Sequence, residues 1–248
     1  MEVDQLNFFK KNGYLVLEDV LTAEEIEYYR ELFDRDRSET GYMWRSKAST
    51  HQSVNCDVLI SSPEFDGLIR HPRLLPHVEE ILGGPVGLAE SCLRHMGPYE
   101  GKPGQGWHRD RKHDEDHPLR TAYVHVLIYL ADVDGGTHCF SISPEACDDP
   151  ILETEEQLAR RGKVDLHGPA GTAVLFNLSV LHAAHIRPTT KQRKTIQTYY
   201  GLQAGPILSQ YTVIPTSLWR DHPKPDVRMF YSLLNDKSKR FNAAYGNR

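Results

Sequence analysis

The chain has 248 residues, 39% of them hydrophobic, and a formal net charge of −5. That length supports one sizeable core, and the acidic balance argues against a general nucleic-acid or membrane-surface binder. No apolar run approaches the roughly 18 residues of a transmembrane helix. The opening Met1-Glu2-Val3-Asp4-Gln5 is acidic and polar, unlike a secretory signal. Cys56, Cys92, Cys139 and Cys147 form no CxxC pair, so reduced thiols in a cytoplasmic protein are expected.

Residues 7–13 read as a short helix stopped by Gly13, followed by a β-type run, Tyr14-Leu15-Val16-Leu17. Thr22 and Glu25 form a capping box, and the helix they open carries the apolar stripe Ile26, Tyr29, Leu32, Phe33. Residues 40–55 are polar and irregular, which fits either a solvated loop or a lid over a site. Further helices are expected from Ser62 and over residues 72–82, the latter closed by Gly83-Gly84-Pro85. After Gly84 the texture changes to short β runs: 86–96, 106–110, 119–131, 138–143, 162–166, 172–177, 181–187 and 194–202. Strands at this spacing predict a double-sheet jelly roll, mainly β with flanking helices. The expected layout is one domain: helical support over 1–85, a jelly-roll core over 86–205, and a helical tail over 206–248.

Trp107-His108-Arg109-Asp110 places an imidazole and a carboxylate on one side of an extended segment. Two such groups hold a divalent metal only with a third ligand. Leu181-His182-Ala183-Ala184-His185 offers it. His182 and His185 lie on opposite faces of a strand, and the small residues after His182 favour it as the ligand, leaving His185 to face outward or pack. Two His, one carboxylate and open positions suit a non-haem Fe(II) oxygenase. The charged stretch from Arg111 to His117 reads as a loop, not a second metal site. Eleven residues after His182 comes Arg193, at the head of a run in which Arg193, Thr195, Gln197 and Tyr199 share a side. An interior row of Arg, Thr and Gln is costly unless a ligand satisfies it, and a carboxylate does so through a forked pair of charge-assisted hydrogen bonds.

Together, Trp-His-x-Asp, Leu-His-small-small and the Arg eleven residues on resemble the phytanoyl-CoA dioxygenase family of Fe(II)/2-oxoglutarate oxygenases. The opening run from Phe9 through Asn12-Gly13-Tyr14-Leu15-Val16-Leu17, the segment Ile81-Leu82-Gly83-Gly84-Pro85 and the segment Gly171-Thr172-Ala173-Val174-Leu175-Phe176 are similar to that family too. The resemblance covers residues 5–205 and implies His108, Asp110 and His182 as iron ligands, with Arg193 holding the distal carboxylate of 2-oxoglutarate. It implies that inward residues of the first core strand line the cosubstrate, and strand parity assigns that face to Ser91, Leu93 and His95. The third strand would add Tyr123, His125 and Leu127. The implied reaction consumes O2 and releases succinate and carbon dioxide. A carboxylate at Asp110 favours hydroxylation over halogenation.

Three departures stand out. The family often has Ser where this chain has Ala184, so a hydrogen bond to the cosubstrate is either missing or supplied by Thr195. It often has Gln at Arg109, which faces either a substrate anion or solvent. Its usual turn sequences are altered over residues 134–139 and 141–145. Arg45, Lys47, Arg94, Arg109, Arg111, Arg120 and Arg187 near candidate pocket segments favour a small polar or anionic substrate. The rival reading is a non-enzymatic or differently metallated cupin-like barrel that binds a metal or ligand. Arg193 discriminates between the two, because a binding-only barrel has no need of a guanidinium aimed at open metal positions.

Overall fold

The computed structural model describes residues 1–46 and 51–246, so Lys47 and the centre of the expected lid lie outside the described residues. Helix α1 (Val3–Asn12) ends at Gly13, whose φ of 73° is left-handed. A Cβ there would stand 2.5 Å from Val180 Cγ2, so both the turn and the packing require glycine. Strand β1 (Tyr14–Leu17) leads to α2 (Ala23–Glu39), opened by the expected capping box: Thr22 Oγ1 accepts from the Glu25 amide and Glu25 accepts from the Thr22 amide. The chain then forms β2 (Arg45–Ser46), β3 (Gln52–Asn55), α3 (Val58–Ser61), α4 (Asp66–Ile69) and α5 (Leu75–Leu82). Residues 40–55 therefore contribute two short strands, and are not a loop throughout.

The β-rich part comprises β4 (Val86–Met96), β5 (Gly104–Gln105), β6 (Tyr123–Tyr129), β7 (Cys139–Ile142), β8 (Val164–Leu166), β9 (Ala173–Asn177), β10 (His182–Ile186) and β11 (Arg193–Leu202). Helix α6 (Thr154–Arg161), absent from the sequence reading, separates β7 from β8, and α7 (Thr216–Trp219), α8 (Pro225–Phe230) and α9 (Asp236–Tyr245) form the tail. A seven-stranded antiparallel sheet runs β1-β9-β6-β11-β4-β3-β2, and a four-stranded one runs β5-β10-β7-β8. This is the jelly-roll core with flanking helices.

The apolar alternation of the strands divides the core. On one face of the large sheet, Leu88, Leu93, Val126, Leu175, Ile196 and Tyr200 pack against Leu32 and Phe33 of α2, Val78 and Ile81 of α5, and Phe230 of α8. On the other face, Leu127, Tyr129, Val174 and Phe176 meet Phe140, Ile142 and Leu166 of the small sheet. A cavity opens on this second, inter-sheet face.

Two expectations need correction. Residues 106–110 do not form a strand. After Gln105 pairs with His185, the chain rejoins β10 only through a bridge between His108 and His182. The inward face of β4 also differs from the expected one. Val86 and Leu88 pack toward the helices, yet so does Leu93, on the other parity. The reason is a bulge: Tyr199 pairs with Glu90 and the next residue, Tyr200, pairs with Leu88. Ala89 is thus an extra residue, and an extra residue reverses the alternation beyond it. Glu90, Cys92 and Arg94 therefore face the cavity side, and Ser91, Leu93 and His95 face away.

Candidate active site

The bridge between His108 and His182 is in register with the β5–β10 pairing, so the two histidines stand directly opposite each other. Their rings are 4.5 Å apart between centroids. Asp110 completes the set: its Oδ1 is 3.3 Å from His108 Nε2 and its Oδ2 is 3.6 Å from His182 Nε2. One donor atom from each of the three residues lies within 4.8 Å of the others. In both histidines Nδ1 sits 2.8 Å from the carbonyl oxygen two residues earlier, Gly106 for His108 and Val180 for His182. A carbonyl accepts only an N–H, so the proton is on Nδ1 and the Nε2 lone pair faces Asp110. His182 is also wedged by the rings of Phe176 and Phe140, at 4.9 and 5.3 Å. Burial alone would raise the Asp110 carboxyl, but its contacts with the imidazoles of His108 and His182 hold it well below the usual carboxylate range. Two oriented imidazoles and an ionised carboxylate suit a divalent metal with positions left open.

Arg193 is 1% exposed, and among the described residues its Nε and Nη1 have no hydrogen-bond partner. Burial lowers its pKa to about 10. Leaving a buried guanidinium unpaired costs several kcal/mol, and a carboxylate matches its fork geometry. The donor set and this Arg face one cavity of about 350 Å³. Glu90, Arg94, His125, Ala184, Gln197 and Tyr199 line it too, with Arg111, Ser209 and Tyr211 toward the rim.

Of the remaining expected cosubstrate residues, only His125 lines the cavity. It is 3% exposed, stacks on Tyr199 at 3.8 Å, and neither ring nitrogen has a partner among the described residues. Tyr123 shares its face but donates its hydroxyl to the Pro206 carbonyl, and Leu127 packs in the inter-sheet core. Thr195 is buried, with its hydroxyl accepting from Gln197 Nε2 at 3.2 Å. Beyond the Ala89 bulge, Ser91 bonds to Thr198, Leu93 packs under the helices, and His95 bonds to Gln192. Glu90, Arg94, Gln197 and Tyr199 are among the cavity residues missing from the expected site set, as are Phe140, Leu178, Ser209 and Tyr211. Gln197 and Tyr199 are legible as partners of Arg193 on its side of β11, whereas Glu90, and the cavity-facing side of Arg94, depend on the bulge.

Burial also holds His125 neutral, its pKa well below the ordinary 6.5. Below that pH the unfolded chain binds a proton that the native state excludes. The stability is therefore full above about pH 6.5 and declines as pH falls through it. His95 and His138, depressed by burial in the same direction, add to this acid limb. His125→Phe should make the limb shallower in urea unfolding between about pH 5 and 7; an unchanged slope would contradict a neutral buried His125.

Arg109 is neither solvated nor free for a substrate. Its Nη1 donates to Glu145 Oε2 at 2.6 Å and to the Ser179 carbonyl at 2.8 Å, and its Nη2 donates to the Leu152 carbonyl. Glu145, 3% exposed, also meets His113 Nε2 at 2.8 Å. This buried network ties the His108–Asp110 segment to the loop before α6. Breaking a buried pair by removing one partner costs about 3–5 kcal/mol. Arg109→Met should lower stability to urea by that order; a change under about 1 kcal/mol would remove the clamp from the account.

His185 faces outward and forms part of a separate group with Cys139 and Asp165. There Arg187 Nη2 reaches Cys139 Sγ, Asp165 Oδ2 and His185 Nδ1 at 3.1, 2.8 and 2.5 Å. The guanidinium supplies the positive charge that a metal would bring, so this group is an ion-pair network. Among the described residues no helix is long and apolar enough to cross a membrane.

A sequence model of the phytanoyl-CoA dioxygenase family matches residues 9–195. A protein named ectoine dioxygenase from Nocardia farcinica is 26% identical over 225 residues, covering 78% of this chain and 75% of that protein. L-proline trans-4-hydroxylase from Streptomyces griseoviridis is 26% identical over 160 residues, covering 52% of this chain and 59% of its own length. Among solved structures, EctD from S. alaskensis with 2-oxoglutarate and 5-hydroxyectoine aligns with a TM-score of 0.70 at 20% identity, over 92% of this chain and 83% of that one. HygX from Streptomyces hygroscopicus with nickel, 2-oxoglutarate and hygromycin B aligns with a TM-score of 0.65 at 20% identity, over 92% and 94%.

Proposed function

Because the chain belongs to the phytanoyl-CoA dioxygenase family, we propose that it is an Fe(II)- and 2-oxoglutarate-dependent hydroxylase of a small polar or anionic molecule. The observation that carries this reading is one cavity faced by a His-Asp-His donor set and by the unpaired guanidinium of buried Arg193. His108, Asp110 and His182 would hold the iron, and Arg193 the distal carboxylate of 2-oxoglutarate. Bound together, iron and cosubstrate supply the oxidising chemistry that places an oxygen atom from O2 into a substrate C–H bond, with succinate and carbon dioxide released.

The chain's own contribution is position and dryness. The Gly106 and Val180 carbonyls keep both Nε2 lone pairs turned toward the metal position. Phe140 and Phe176 exclude water behind His182 and fix its ring. Ala184 leaves room on the wall two residues from His182, and provides no hydroxyl there. His125, neutral and without a partner inside the cavity, is placed to hydrogen-bond the bound molecules. Arg94 and Arg111 put positive charge on the walls, which supports a polar or anionic substrate. Two relatives named for small polar substrates, ectoine and L-proline, fit that class.

Adding Fe(II) and 2-oxoglutarate without oxygen is expected to produce a visible metal-to-ligand charge-transfer band. In air, a metabolite screen should be scored by substrate-dependent succinate. No band, together with no succinate, would sink the oxygenase reading and leave the metal-binding barrel as the better account.

A further inference from the structure

One cluster of reactive groups lies outside the chemistry above, behind the row Glu90-Cys92-Arg94. Strand β3 pairs with β4 so that Val54 faces Arg94 and Asn55 faces Leu93. One residue beyond β3, the same register sets Cys56 opposite Cys92. The two thiols are buried at 7% and 0% exposure and pack with Val54 in a small cluster of their own. One ligand atom each from Cys56, Cys92 and Glu90 lies within 4.8 Å of the other two, so the two sulfurs are neighbours. Side chains directly opposed across an antiparallel pair have Cβ atoms about 4.5–5.5 Å apart. That is close to the roughly 3.5–4.5 Å of a disulfide, so only a small adjustment separates the dithiol from the bridge.

We propose that Cys56 and Cys92 form a peroxide-responsive dithiol, oxidised to a cross-strand disulfide that staples β3 to β4 at the back of the cavity. The two sulfurs have different roles. The neighbouring Cys92 sulfur, together with Arg45, lowers the Cys56 thiol, whereas the neighbouring Cys56 sulfur and burial hold Cys92 well above the ordinary thiol range. Cys56 is also the more accessible of the two, at 7% exposure against 0%, so it is the nucleophile and Cys92 the resolving thiol. The Cys56 thiolate attacks one peroxide oxygen, the O–O bond breaks, and hydroxide leaves and is protonated to water. The sulfur of Cys92 then attacks the resulting sulfenic sulfur, the S–O bond breaks, and the second oxygen leaves as water with the Cys92 proton. Two thiols are oxidised and one hydrogen peroxide is reduced to two waters. Arg45 at Cys56 and Arg94 at Cys92 place cations beside both sulfurs. They stabilise a thiolate and disfavour a bound metal cation, so the pair reads as redox chemistry although Glu90 stands beside it.

The pairing also reaches the cavity. Cys92 faces Gln197 across β4 and β11, and Gln197, Glu90 and Arg94 line the cavity. Arg94 lies two residues from Cys92 on the same side of β4, so the disulfide would form beside a cavity guanidinium.

The test treats the full-length chain with hydrogen peroxide, alkylates the remaining thiols, and maps them by mass spectrometry. All four cysteines are free at the start. The expected result is loss of two alkylatable thiols, a mass lower by two hydrogens, and a dithiothreitol-reversible link between the tryptic peptides 48–70 and 74–94. In Cys92→Ser the reaction should stop at a sulfenic acid on Cys56 that dimedone captures, while Cys147→Ser should behave as wild type. The proposal is overturned if Cys56 and Cys92 both remain alkylatable, if either reaches the sulfinic or sulfonic acid unlinked, or if the link involves Cys139 or Cys147. None of these readouts depends on iron, cosubstrate or turnover, so they stand apart from the oxygenase reading.

Discussion

Replacing Asp110 with alanine is expected to abolish substrate-dependent succinate formation and to weaken Fe(II) binding by more than about 1,000-fold. Losing a hydrogen-bond partner of a metal ligand typically costs 10–100-fold, and the loss of a ligand itself should exceed that. The geometry sharpens the expectation. Asp110 is the only group within hydrogen-bonding or ion-pairing reach of both His108 Nε2 and His182 Nε2 in the described contacts. Without it the two imidazoles, 4.5 Å apart, keep their orientation from the backbone carbonyls but have no negative charge between them. Their bonds to Gly106 and Val180 do not involve Asp110, so the fold should survive, and unfolding in urea should separate a binding defect from a folding defect. Hydroxylation persisting in Asp110→Ala would mean that a different carboxylate holds the metal.

Arg193→Met is expected to produce two effects of opposite sign. The affinity for 2-oxoglutarate should fall by roughly 30- to 3,000-fold, since truncating one member of a buried charge pair costs about 2–5 kcal/mol. Fe(II) affinity should change little, because Arg193 makes no contact with His108, Asp110 or His182 among those described. The ligand-free protein should become no less stable, and by up to about 4 kcal/mol more stable, because an apolar isostere replaces a buried and unpaired guanidinium. Thermal unfolding with and without 2-oxoglutarate reads both effects: the variant should begin higher and gain less on adding the cosubstrate. If wild type and variant gain equally, the carboxylate is held elsewhere, and Arg94 becomes the first residue to examine.

The two predictions rest on features that differ in how far the sequence exposes them. His108 and Asp110 sit two residues apart in one segment, so their proximity was legible locally, although a single bridge to His182 and not the expected strand holds the segment. Arg193 was legible from the alternation of its own run, where Ile196 and Tyr200 take the apolar face and leave Arg193, Gln197 and Tyr199 on the other. The jelly-roll class and most strand positions followed in the same way from period and turn residues. Helix α6 and the short strands β2 and β3 did not. Their segments carry no apolar periodicity strong enough to announce them, and β2 and β3 exist by pairing onto the edge of β4.

What the sequence determined by itself is therefore what neighbouring residues decide: the pairing of an imidazole with a carboxylate in one short motif, the polar row headed by Arg193, and the strand-rich core with helices around it. Tertiary structure decided whatever depends on a partner distant in the chain. The bulge at Ala89 exists only in the pairing of β4 with β11, and that single extra residue exchanged Ser91, Leu93 and His95 for Glu90, Cys92 and Arg94 on the cavity side. Arg109 acquired its role from Glu145, Leu152 and Ser179, at least 36 residues away. Side-chain alternation is a local property of extended backbone, whereas register is set by hydrogen bonds between strands that the sequence places far apart.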